Sequence, residues 1–130
     1  MKRFIVSLLV LMMCLSLCAC AQSTEKMLEE AIELNWQNVH DEYLENAARA
    51  AEEYDGKIVK WTATVYDIGI DNVKMAESAY MGVPLNAITV YFNEDEDGIP
   101  NLSDGDVITI VGTMHMGPFG EIDNAYIVSD

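Results

Sequence analysis

Beyond residue 20 this 130-residue chain contains no cysteine; its three thiols all fall within the first twenty positions. Once the amino terminus is processed, nothing remains for a disulfide, a thiol nucleophile or a Cys-based zinc site. Basic residues are nearly as scarce. Seven Lys and Arg stand against 22 Asp and Glu, for a formal net charge of −15, and Lys2 and Arg3 sit at the extreme amino terminus. A surface this acidic repels phosphate backbones at long range, so composition predicts no nucleic-acid partner. It also weakens attraction to anionic lipid, which leaves acyl chains as the means of tethering. Histidine is limited to His40 and His115. Catalysis needs a positioned nucleophile, acid–base pair or metal, and the chain has no GxSxG, no phosphate-cradling glycine loop and no HExxH. The expectation is a protein that is not an enzyme and carries no cofactor, weak calcium apart.

What the chain does have begins with MKRFIVSLLVLMMCLSLCAC. Lys2 and Arg3 precede an apolar run, Phe4 to Leu17, that suits a secretory signal and is short for a stable membrane span. Leu17-Cys18-Ala19-Cys20 then fits a bacterial lipobox, with an apolar residue three before and a small residue immediately before the cysteine to be lipidated. Ordinary cleavage after Ala21 is the alternative, because Ala19-Cys20-Ala21 satisfies the small-x-small rule. The reading is a signal peptide over 1–19, lipidation at Cys20 with palmitate-type acyl chains, and a tether over 20–26. This places the protein on the extracytoplasmic face of a cell membrane, with secretion as the alternative.

Residues 27–55 read as one amphipathic helix. Ile32, Trp36, Val39, Tyr43, Ala47, Ala50 and Tyr54 recur at steps of three or four and form an apolar stripe, while Glu and Asp fill the other faces. Asn35 and Asn38 are points at which it can split in two, and Gly56 is a natural left-handed stop. From Lys57 the period changes to two: Val59, Trp61, Ala63 and Val65 alternate with Lys60, Thr62 and Thr64. Further strands are expected at Asn72–Ala76, Asn86–Phe92, Asp106–Met114 and Ile122–Val128. A mainly β protein follows, with an amino-terminal helix and a five-stranded OB-fold barrel over 57–130. An α+β arrangement, a helix on an open antiparallel sheet, is the second choice.

Several residues together carry a resemblance. They are Asn46, Tyr54-Asp55-Gly56-Lys57, the strand Val59–Val65 with Ile68, Val90-Tyr91-Phe92, Gly105-Asp106-Val107, Val111-Gly112 and Ile122-Asp123-Asn124-Ala125-Tyr126-Ile127. With them residues 43–128 resemble the tRNA_anti-like family of OB-fold bacterial lipoproteins. The resemblance implies the barrel and no catalytic residue. Ala63 stands where a glycine is usual, and Val90 and Ala125 where relatives often show cysteine, so it implies no redox role here.

OB barrels bind ligands across the face of their second and third strands and between the loops joining strands one to two and four to five. Thr89 and Tyr91, with Lys74 or Met75, are the expected face; Phe119 in Gly117-Pro118-Phe119-Gly120 and Tyr80 in the long 77–85 loop are expected rim aromatics. The matching partners are an envelope protein, a peptide or a glycan. A rival reading takes NEDEDGIPNLSD, residues 93–104, as a calcium loop using Asn93, Asp95, Asp97 and Asp104. Pro100 and the flanking strands argue against an EF-hand, and a solvated turn is the expectation. His40 reads as a surface or half-buried helix residue. Met114-His115-Met116 invites copper(I), but strand alternation sets His115 on the face opposite the two methionines.

Overall fold

A computed structural model describes residues 24–128. The signal sequence, Cys20 and the start of the tether lie outside the described residues. Residues 24–30 are helical, and from Ala31 onward the chain forms one compact unit that carries the barrel. Its elements run β1 (Ile32–Glu33), α1 (Trp36–Glu45), α2 (Ala47–Tyr54), β2 (Ile58–Ile68), β3 (Asn72–Ala76), β4 (Ser78–Tyr80), β5 (Val83–Leu85), β6 (Ile88–Phe92), a 3-10 turn (Ile99–Asn101), β7 (Val107–His115) and β8 (Glu121–Ile127).

Five of these strands close into a barrel. The hydrogen-bonded order is β2-β3-β6-β8-β7, and β7 pairs back onto β2. Every pairing is antiparallel except β6 with β8. Closure depends on the eleven residues of β2, which serve two neighbours in succession: Ile58–Thr64 pair with β7 and Thr64–Ile68 with β3. The buried set is the alternating one. Val59, Trp61, Ala63 and Val65 of β2 meet Val73, Met75, Ile88, Val90, Ile110, Met114, Ile122 and Ala125 in a single core. Gly112 lets β7 bulge against β8, since a Cβ there would lie 2.6 Å from Ile122 Cγ2 and 2.9 Å from the Asp123 carbonyl oxygen. This is the five-stranded OB architecture expected from the sequence.

The single helix expected over 27–55 is instead divided. Ile32 and Glu33 lie parallel to Val59 and Lys60 of β2 as β1. Two asparagines set the later boundaries. Asn35 is extended (φ −112°) and accepts the Asn38 N–H at 3.2 Å; Asn46, likewise extended, accepts the Arg49 N–H at 3.1 Å. A short amide that caps a new helix competes with continuing the old one. The apolar stripe survives only in part: Trp36, Val39 and Ala50 are buried, whereas Ile32 is exposed.

The register assigns each connection to an end of the barrel. The β3–β6 and β7–β8 connections share one end with the start of α1; the β2–β3 turn and the β6–β7 connection share the other. At the second end Ile99, 8% exposed, joins the core cluster. Glu96 fastens that connection by accepting the Gly98 and Ile127 N–H groups, each at 2.8 Å. The 93–104 segment is therefore more than a solvated turn: it supplies a plug to the barrel.

Candidate ligand-binding site

The site grows from Trp36, the first residue of α1, which is only 2% exposed. Three groups hold it. Asn35 starts the helix just before it. The Glu77 carboxylate, one residue past β3, accepts the backbone N–H of Trp36 at 2.5 Å and of Gln37 at 3.1 Å. The same carboxylate takes the indole N–H of Trp61 at 2.9 Å, so one acid joins the helix start to the barrel core. A negative group over the first N–H groups of a helix is favourable through both hydrogen bonds and dipole. From the other side Gly120 (φ +62°) approaches so closely that a Cβ would stand 2.7 Å from Trp36 Cη2 and 2.9 Å from Cζ2. Glycine is required there twice over, for space and for backbone angle.

Trp36 is thus a plug at the end where the β7–β8 loop lies. Its own indole N–H is buried and has no hydrogen-bond partner among the described residues. An orphaned buried donor costs about 1–3 kcal/mol and calls for an explanation. Trp36 also forms one wall of a cleft of about 340 Å³ whose other walls are His40, Asn86, Ala87, Pro118 and Phe119. His40, one turn along α1, lies with its ring centroid 5.6 Å from that of Trp36 at 58°. Asn86 sits in the left-handed region (φ +54°) and donates its side-chain N–H to Gln37 Oε1 at 3.3 Å. Phe119 is 81% exposed at the rim. A shallower cleft of about 240 Å³ continues on the far side of Phe119, past Gly117 to Glu121 and His115.

The expected ligand residues are distributed unevenly around this geometry. Thr89 and Tyr91 do share the outward face of β6, opposite Lys74 and Asn72 of β3. Tyr91 is 37% exposed, and Met75 belongs to the core rather than this face. Tyr80 is on the β4–β5 hairpin, which the sequence reading treated as loop, and lines neither cleft. Of the four, Phe119 alone walls a cleft. Its neighbours there, Trp36 and His40, had been read as a core-facing and a peripheral helix residue. The signal that could have joined them is Gly120, whose lack of a side chain after an exposed aromatic implies a close approach by something bulky.

Around the acidic segment, Asn93 is engaged by its own surroundings, accepting the Asp95 N–H at 2.8 Å and donating to Asn124 Oδ1. Among the described residues no three His, Asp or Glu side chains converge as a metal ion requires, so Asn93, Asp95, Asp97 and Asp104 are not brought together as ligands. His115 points outward, 3.5 Å from Asp123, while Met114 is in the core. Burial, followed by the charges of Asp95 and Glu96, raises the Tyr126 phenol above its ordinary range. Burial, with Glu42 and Glu53, does the same to Tyr54.

The tRNA_anti-like family model matches residues 1–122. Among solved structures the chain is similar to one from Klebsiella pneumoniae subsp. pneumoniae described as a "putative nucleic acid-binding lipoprotein". The identity is 24%, over 78% of this chain and 95% of that one, with a TM-score of 0.60, which establishes a shared fold. No curated protein is significantly similar. The description of the Klebsiella structure overturns one expectation, the exclusion of nucleic acid. That exclusion rested on total charge, a long-range quantity that salt screens within about 8 Å. Stacking of bases on aromatic rings is a short-range contact and does not depend on it.

Proposed function

Because the chain belongs to the tRNA_anti-like family, we propose that it is a lipid-anchored, non-catalytic binding module on the extracytoplasmic face of the membrane. Its ligand enters the cleft between Trp36 and Phe119. The observation that carries the reading is Phe119 itself: a large aromatic ring held almost wholly in solvent at the rim of a cleft, on a loop framed by Gly117 and Gly120. Nothing in the packing of the core needs that ring. The lipobox at Cys20 and the description of the Klebsiella relative as a lipoprotein support the tether.

That relative's description also favours a second reading, in which the ligand is a single-stranded nucleic acid. With Lys74 the basic residue on the β3–β6 face, such binding would rest on stacking, and its affinity would fall only gently with salt. Two measurements test the proposal. Cys20→Ala is expected to release the protein from the membrane fraction. Binding of a peptide, glycan or oligonucleotide panel to the mature chain is expected to weaken on Phe119→Ala. Retention of Cys20→Ala at the membrane, or binding indifferent to Phe119, would refute the corresponding half.

A further inference from the structure

We propose that the cleft beside Phe119 is a saccharide site and that the missing partner of the Trp36 N–H is the acetamido oxygen of an N-acetylated sugar. The inference rests on the binding reading above and adds the ligand's chemistry.

Three features of the cleft define that chemistry. Trp36, which lines the cleft, is 98% buried, and its indole donor has no acceptor among the described residues. Such a donor calls for a good neutral acceptor, and a carbonyl oxygen is a better one than a hydroxyl. Phe119 presents an open ring face, which packs against the axial C–H face of a pyranose as it would against any flat, weakly polar surface. The polar groups bordering the ring are mixed in character: the Asn86 amide, the His40 imidazole, and Glu121 on the far side of Phe119. Sugar hydroxyls both donate and accept, so they satisfy such a set, whereas a purely accepting or purely donating ligand would leave part of it unpaired. Among the described residues neither Lys nor Arg lines either cleft, so the site is matched to an uncharged ligand. Ala87 and Pro118 give the acetamido methyl an apolar wall. The first cleft, about 340 Å³, is within the range of small-ligand sites. The Trp36 N–H is closed to solvent in this structure, so the proposal requires the Pro118-Phe119 segment, bracketed by Gly117 and Gly120, to shift when the acetamido group binds.

The chain's two tryptophans make the test direct. The Trp61 indole donates to Glu77 and serves as an internal reference; the Trp36 indole N–H has no partner among the described residues. The mature, unlipidated chain (Cys20→Ala), labelled with 15N, is titrated with N,N′-diacetylchitobiose while both indole N–H resonances are followed. The expected result is a saturable downfield shift of the Trp36 resonance with that of Trp61 unmoved. Phe119→Ala, an exposed position that should leave the fold intact, is expected to weaken binding about tenfold. A Trp36 resonance that stays in place up to about 10 mM sugar, weaker than any useful affinity, overturns the assignment. A ten-nucleotide oligothymidylate separates the two levels of the claim. If it binds in a Phe119-dependent manner while the sugar does not, the saccharide assignment falls and the binding module stands. If neither moves a cleft resonance, both fall.

Discussion

Removing the carboxylate of Glu77 tests how the helix start is fixed to the barrel. Three N–H groups converge on it: two from the first turn of α1 and one from Trp61. In Glu77→Ala the Trp61 indole, 1% exposed, loses its acceptor, a change worth about 1–3 kcal/mol. Loss of an acidic cap adds about 1 kcal/mol. Glu77 is itself exposed, so water screens its charge and replaces part of what is lost, which keeps the total near the lower limit. The expected loss is about 2 kcal/mol, a fall in Tm of about 10 °C for a domain of this size. Glu77→Gln, which keeps one acceptor oxygen, should lose about half as much. Urea unfolding followed by tryptophan fluorescence measures both. A Glu77→Ala variant within about 0.5 kcal/mol of the parent, the spread of ordinary surface changes, would show that the three contacts do not hold the plug in place.

Other outcomes follow from single features. Met81 (φ +51°) and Gly82 (φ +80°) form the two-residue turn of the β4–β5 hairpin; both have positive φ, and Met81 is 87% exposed. Met81→Asn should stabilise by about 0.5–1 kcal/mol, because Asn tolerates that region and Asn-Gly suits a type I′ turn; a lower urea midpoint would contradict this. Ile99→Ala should cost about 2 kcal/mol or more if the β6–β7 connection plugs the barrel, and almost nothing if it is merely a solvated turn. Tyr54 and Tyr126 have phenols raised by burial, then by nearby carboxylates. Their contribution to stability is complete below pH 10. It is lost as pH rises through the folded-state values, since the unfolded chain ionises first. Urea midpoints measured from pH 9 upward should therefore decline, and the decline should shrink in Tyr126→Phe.

The barrel was legible because its signals are local and repeated. The alternation of Val59, Trp61, Ala63 and Val65 fixes one face of β2, and the other four strands of the barrel lie within two residues of their expected limits. The amino-terminal region was misread because a 3.6-residue stripe of apolar residues continues across Asn35 and Asn46, whose capping geometry a periodicity count does not register. The β4–β5 hairpin hid behind a turn that begins with methionine in place of the usual asparagine. At the site, Phe119 was recognisable as an exposed loop aromatic. Its neighbours were not, because Trp36 and Phe119 are 83 residues apart and are joined by Glu77 on one side and Gly120 on the other. Calcium was suggested by carboxylate spacing, whereas the loop follows the requirements of Ile99 and Glu96. Net charge misled for a related reason: it describes the whole molecule, whereas the proposed binding is decided at one end of the barrel.

That last point sets the most direct test, a comparison of Phe119→Ala and Tyr91→Ala in binding the same ligand, N,N′-diacetylchitobiose or oligothymidylate, whichever the mature chain takes up. Binding at the barrel end predicts about a tenfold loss for Phe119→Ala and a change within about twofold for Tyr91→Ala, with both variants unfolding near the parent's Tm. The reverse order, a large loss at Tyr91 and none at Phe119, would return the ligand to the β3–β6 face and contradict the account.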